Sequence, residues 1–153
     1  MTTLTFSEYA AQQEARKDIA LAVLGHTLAL CEALRKNYLE YSIRMHENRV
    51  DRMGADTPED IEYRKAALEK LKQGISPVDF IIETGRKYHK IIFIDGGSNR
   101  SCHAFVDKKT GEVYKSASWQ SPAKGVRYDL RLISDREWLL EHADWAGGYL
   151  YKR

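Results

Sequence analysis

The sequence is poor in the residues that staple or interrupt a chain. Its two cysteines, Cys31 and Cys102, stand far apart with no second thiol beside either. Both are therefore expected to be reduced, as in a cytosolic setting, and no disulfide framework is expected. Three prolines and ten glycines in 153 residues exclude a collagenous or low-complexity chain. No apolar run approaches the roughly 18–20 residues of a membrane span. Met1 to Ser7 has neither a basic nor an apolar leader segment, so no secretory signal is expected. The five histidines are scattered without i,i+4 or CxxC spacing, and no P-loop, GxSxG or HExxH motif occurs. No metal and no cofactor is expected. What the chain does have is 43% apolar and 30% charged residues, enough to bury a core. One ordinary domain, or a small domain with a helical appendage, fits that length.

The formal net charge of +2 is too small for bulk coating of nucleic acid, but it is unevenly spread. Residues 1–76 carry −1 and residues 77–153 carry +3. Between 108 and 131, six bases face only Glu112 and Asp129. A basic window beside aromatics suits a phosphate-bearing partner, and a solvated charged face is the plainer alternative.

The front half reads as helix. Thr5 and Glu8 form a Thr-x-x-Glu capping box, with Ser7 as a rival cap. No proline follows up to about Asn48, and apolar positions recur at Ala11, Ala15, Ile19, Val23, Leu30, Leu34, Tyr38 and Met45. Most of those steps are three, four or seven, one face of a helix. Gly25 either bends it or admits a close neighbour. Gly54 to Thr57 predicts a turn. Thr57-Pro58-Glu59-Asp60 then restarts a helix, with Thr as cap, Pro at the first position and acids on the positive end of the dipole. Gly74 closes it. A helical hairpin over 1–76 leaves apolar groups uncovered, so it should pack on the back half and on a second copy of the chain.

The back half, 77–153, reads as a small antiparallel sheet in one compact unit with the hairpin. Ser76-Pro77-Val78-Asp79 predicts a short helix running to Gly85. Strands are predicted at Tyr88–Ile94, Cys102–Val106 and Glu112–Ser116, the last two joined by a turn with Gly111 in the left-handed position. Val126–Leu132 reads as a further extended segment. Ser134 and Glu137 predict a capping box for a short helix, and Tyr149-Leu150-Tyr151 could close the sheet edge. The expected fold class is α+β: a long helical hairpin, then an antiparallel sheet with a short C-terminal helix.

Catalytic constellations are weak. Asp95-Gly96-Gly97-Ser98 after a strand resembles the opening hairpin of ribonuclease-H-like nucleases and actin-like ATPases, over about 15 residues. Those folds need further carboxylates, and the acids after Asp107 follow no such pattern. A polar glycine turn is the expected reading. Cys102 and His103 are neighbours on a strand and should point to opposite faces, leaving Cys102 a buried, inert thiol. With no acid–base pair, a non-enzymatic protein is expected.

The stretch from Tyr114 to Arg131 is unlike filler. It holds four bases, three aromatics, three serines and one acid in 18 residues. Arg127, Arg131, Lys115 and Lys124 can neutralise phosphate, Ser118 can donate to it, and Trp119, Tyr114 or Tyr128 can stack a base. The alternative is that Trp119 caps the core while the bases are solvated.

The run Thr110-Gly111-Glu112-Val113-Tyr114-Lys115-Ser116-Ala117-Ser118-Trp119, then Pro122-Ala123-Lys124-Gly125-Val126-Arg127, resembles small tailed-phage proteins that share a TGxVxKxASWxxPAKGxR core. His103-Ala104-Phe105-Val106-Asp107 fits the same pattern, and the match spans about 88 to 131, under a third of the chain. The resemblance implies phage origin and a place in the cytoplasm of an infected bacterial cell. A compatible phage class is the first type of Thoeris anti-defence sponges, α+β oligomers that hold cyclic ADP-ribose isomers or cyclic oligonucleotides without cleaving them. It implies a non-enzymatic homo-oligomer that sequesters a small nucleotide immune signal, with no membrane partner. The alternatives are single-stranded nucleic-acid binding through the same residues, and inhibition of a host enzyme with Trp119 and Trp145 as anchors.

Overall fold

A computed structural model describes residues 3–51 and 57–151. Helix α1 runs from Phe6 to Asp51, 46 residues or about 69 Å. The capping box forms as the sequence predicts: Glu8 N donates to Thr5 Oγ1 and Thr5 N to Glu8 Oε2, both at 3.1 Å. Val23, Thr27, Leu30, Cys31 and Leu34 are the buried stripe, at helical spacing. The predicted stripe is longer than the buried one, because Ala11, Ala15 and Met45 are exposed. Nothing approaches Gly25, so close packing is not its role.

Helix α2, Pro58–Lys72, packs on α1. Thr57 Oγ1 accepts from Asp60 N, and Gly74 (φ +84°) ends the helix while Gly74 N and Ile75 N donate to the carbonyls of Leu71 and Lys70. The turn predicted at Gly54–Thr57 lies, up to its last residue, outside the described residues.

Five strands follow in one antiparallel meander: β1 Val78–Thr84, β2 Tyr88–Asp95, β3 Asn99–Asp107, β4 Glu112–Lys115 and β5 Tyr128–Asp129. The first corrects the helix predicted after Pro77. Val78, Phe80 and Ile82 alternate toward the core, a period of two, and Phe80 pairs with Phe93 of β2. The run is β-branched and short, so cross-strand partners decide its state. Within Val126–Leu132 a strand forms only at Tyr128 and Asp129.

Helix α3, Ile133–His142, lacks the predicted Ser134–Glu137 box; Leu132 caps it without a side-chain bond. Asp135, in its first turn, ties the helix to β5 by accepting from Asp129 N at 2.9 Å. The tail is likewise no edge strand. Gly148–Leu150 is a 3-10 turn that buries Tyr149 and Leu150.

One core draws on both halves of the chain. The α1 stripe meets Phe80, Ile91, Ala104, Val106 and Val113 on the inner face of the sheet, with Leu139 of α3 beside them. Arg35 of α1 pins that contact at the sheet edge. It pairs with Asp79 and Glu32 and donates to the Phe80 carbonyl at 2.7 Å.

Two glycines separate backbone strain from packing. Gly74 and Gly111 both have positive φ, +84° and +78°. A Cβ at Gly74 meets nothing, whereas one at Gly111 lies 3.0 Å from Arg131 Cγ and 3.4 Å from Val23 Cγ2. Gly74→Ala should therefore cost about 1 kcal/mol, and Gly111→Ala about 2–3 kcal/mol, read as shifts of the urea midpoint. Equal shifts would mean that the turn does not press on α1.

Candidate functional site

The inner face is not covered along its whole length. At the ends of β2 and β4 and the start of β3, residues 145–151 fold back and border an open hollow of about 440 Å³. Phe93, Ser101, His103 and Lys115 form its sheet side, and Trp145, Gly147 and Tyr151 its chain-end side.

Each wall has a local cause. A register shift at Ile91/Ile92 pairs Ile91 with Ala104 but Ile92 with Cys102, leaving His103 as the extra residue of a bulge. His103 thereby turns inward onto Phe80 and Tyr149, while Cys102 lies with Ile92 on the outer face. The two neighbours point apart, as expected. Lys115 pairs with Ala104 and so points inward, its Nζ 4.7 Å from the ring centroid of Tyr151. Trp145 is held by Asn37, whose Oδ1 accepts from its backbone N at 2.9 Å, and by an edge contact with Tyr38. It also stacks on Phe93. Asp144 accepts from the backbone N of Gly148 and Tyr149 and shapes the final turn.

Burial holds two of the groups beside the hollow, His103 and Cys102, neutral at pH 7. Burial pushes the His103 imidazole down to about 4, against a smaller opposing pull from Asp144. Its Nε2 lies 2.7 Å from the Tyr149 hydroxyl, whose own pKa burial raises. Burial also pushes Cys102 up to about 11, so it is a thiol at neutral pH. Among the described residues, Lys115 is thus the one cation that lines the hollow. Among the described residues, no group of three His, Cys, Asp or Glu side chains could hold a metal ion.

The residues singled out in the sequence separate. Lys115 reaches the hollow. Tyr114, one position away, points to the outer face against Tyr88. Trp119 also lies on the outer side, 40% exposed, with Lys90 Nζ 4.4 Å and Arg100 Cζ 5.8 Å from its ring centroid; it does not cap the core. Ser118 closes its own turn, accepting from Gln120 N and Ser121 N. Arg127 is committed to backbone: Nε donates to Leu150 O at 2.8 Å, and Nη1 to the carbonyls of Lys124 and Gly125. The Lys124 side chain is exposed, and Arg131 is exposed with its stem over Gly111. Tyr128 requires a correction. It is 4% exposed, stacks on Trp138, and donates to Tyr149 O at 2.6 Å, because β5 register sets it opposite Val113 on the inner face. It has no free ring face for a ligand.

Nothing in the sequence brings Trp145, Phe93, His103 and Tyr151 together. The sequence suggests Trp145 as an anchor for a protein partner, whereas its packing against Tyr38 and Phe93 places it in the hollow wall. The aromatic tail was the one available signal for Tyr151.

The fold and this recess define an α+β protein whose helix-backed sheet holds a small-ligand-sized hollow at one end of its strands. The chain belongs to a family of unknown function, DUF7717, which matches residues 6–152. No curated protein and no solved structure matches it. Among the described residues, no helix is long and apolar enough to cross a membrane.

The depressed His103 pKa carries a pH dependence. The unfolded imidazole, near 6.5, binds a proton that the folded one refuses until about pH 4. Its contribution is therefore full above pH 6.5 and is lost as pH falls toward 4. The melting temperature should drop over that window more steeply in the native protein than in His103→Asn. Parallel profiles would show that His103 does not titrate on unfolding.

Proposed function

We propose that the protein binds a nucleotide in this hollow and holds it without chemical change. The observation that carries the reading is Lys115, an ammonium held over the Tyr151 ring at a recess whose other walls include Trp145 and Phe93. A cation beside stacked rings suits a phosphate with a flat base attached. The Ser101 hydroxyl adds a donor and an acceptor, Ser116 Oγ, which donates to the Cys102 carbonyl, adds an acceptor, and the volume lies in the range of small-molecule sites. Burial leaves His103 a weak base, with its pKa down at about 4, and keeps Cys102 out of the thiolate form at pH 7, which favours holding over turnover.

The resemblance to small tailed-phage proteins supports a signalling nucleotide as the ligand. Cyclic ADP-ribose isomers and cyclic dinucleotides are the probes it suggests, in the setting of an infected bacterial cell. Calorimetry should give micromolar or tighter binding of one of them, with intact ligand recovered. Lys115→Ala should weaken that binding about tenfold, or about 1.4 kcal/mol, and Tyr151→Ala by a similar factor. No heat with any of these ligands, or ligand recovered cleaved, would sink the reading.

Self-association belongs to the same proposal. Phe6 is 84% exposed and Leu21 68%, and Tyr9 and Leu28 of the same helix are each half exposed. A second copy of α1 would cover them. Light scattering should show a dimer or larger at micromolar concentration, shifting toward monomer in Leu21→Glu. A compact monomer in the native protein would remove this part.

A further inference from the structure

A second concavity opens at the other end of the strands. It measures about 650 Å³ and lies between the first half of α1 and two hairpin turns. Arg16 and Lys17 line the helix side, and Arg86, Lys108 and Lys109 the turns. Among the described residues, no carboxylate lines it. The two turns are tied together by Lys108, whose N donates to Lys87 O and whose Nζ donates to Gly85 O at 2.9 Å. Arg16, Lys17, Arg86 and Lys109 make no ion pair among the described residues. Asp107, the acid nearest the turn, is buried and accepts from the backbone N of Lys109 and Thr110. Five cations facing one another repel, and a chain of phosphates would relieve that repulsion.

The charge continues around the sheet. Arg86 also lines a hollow of about 220 Å³ on the outer face, with Lys87, Tyr88 and Lys90. Lys90 in turn lies against the half-exposed Trp119. Glu83 is the acid of this stretch, and it pairs with Arg100 at 3.3 Å. Cations in a groove, leading to the partly exposed rings of Tyr88 and Trp119 on the outer side of the sheet, are the two parts of a single-strand binding track.

We propose that this track binds single-stranded nucleic acid, with phosphates in the groove and bases against the outer sheet face near Trp119. A duplex offers no unpaired base to an indole, so the ring at Trp119 favours a single strand. The site is separate from the Lys115 hollow and stands without it.

The test is fluorescence anisotropy with a labelled oligodeoxythymidine and a duplex of equal length. With four phosphates neutralised, affinity should fall about 50-fold between about 50 and 200 mM salt. Arg16→Glu/Lys17→Glu should lose at least tenfold and flatten the salt slope. Trp119→Ala should lose severalfold with the slope unchanged, and Lys115→Ala should bind as the native protein does. If the helix variant loses its thermal transition, Arg86→Ala/Lys109→Ala on the turns serves instead, with the same expectation. No binding at the lower salt, indifference to both charge variants, or a duplex bound at least as tightly would overturn the proposal.

Discussion

The buried side of α1 against the inner face of the meander is the contact on which the remaining structure depends. Val23, Leu30 and Leu34 are fully buried there, as are Phe80, Ile91, Val106 and Val113 across from them. Burial of each such side chain is worth about 1.5–3 kcal/mol, so the seam outweighs any single polar contact. Neither layer could stand alone. A meander with one bare apolar face needs a cover, and a lone helix draws little stability from propensity in water. The Arg35–Asp79 pair adds direction more than energy, since both side chains are partly exposed.

That seam is shorter than the helix, and both overhangs have consequences. Beyond the core, the C-terminal part of α1 receives α2. The N-terminal part projects past the sheet, where Arg16 and Lys17 face the hairpin turns and Phe6 and Tyr9 meet solvent. The inner face, for its part, is longer than the helix covers. The final residues fill the gap incompletely, held by the Tyr128–Tyr149 and Arg127–Leu150 hydrogen bonds, and the remainder is the Lys115 hollow.

The sheet also sorts charge and rings between two sides. Lys115 and Tyr114 are adjacent in the chain but serve opposite faces, since successive side chains of a strand alternate. The basic-aromatic segment is therefore not one site. Its members divide among a hollow, an outer surface and the core. Arg127, one of the phosphate ligands the sequence suggests, instead satisfies three backbone carbonyls of the loop and the last turn.

What the sequence determined by itself was local. The Thr5–Glu8 box, the Thr57-Pro58 start, the Gly74 and Gly111 positions and the hairpin between β3 and β4 follow from interactions a few residues long, and each is where the sequence predicts it. The segment 78–84 became a strand rather than a helix because β2 supplied hydrogen-bond partners that no local signal announces. The bulge that aims His103 inward, the burial of Tyr128 and the meeting of Trp145 with Phe93 were likewise decided only in three dimensions. The physical reason is the same in each case. Caps and turns are settled by neighbours in the chain, whereas the facing of a strand residue depends on register with a partner far away in sequence.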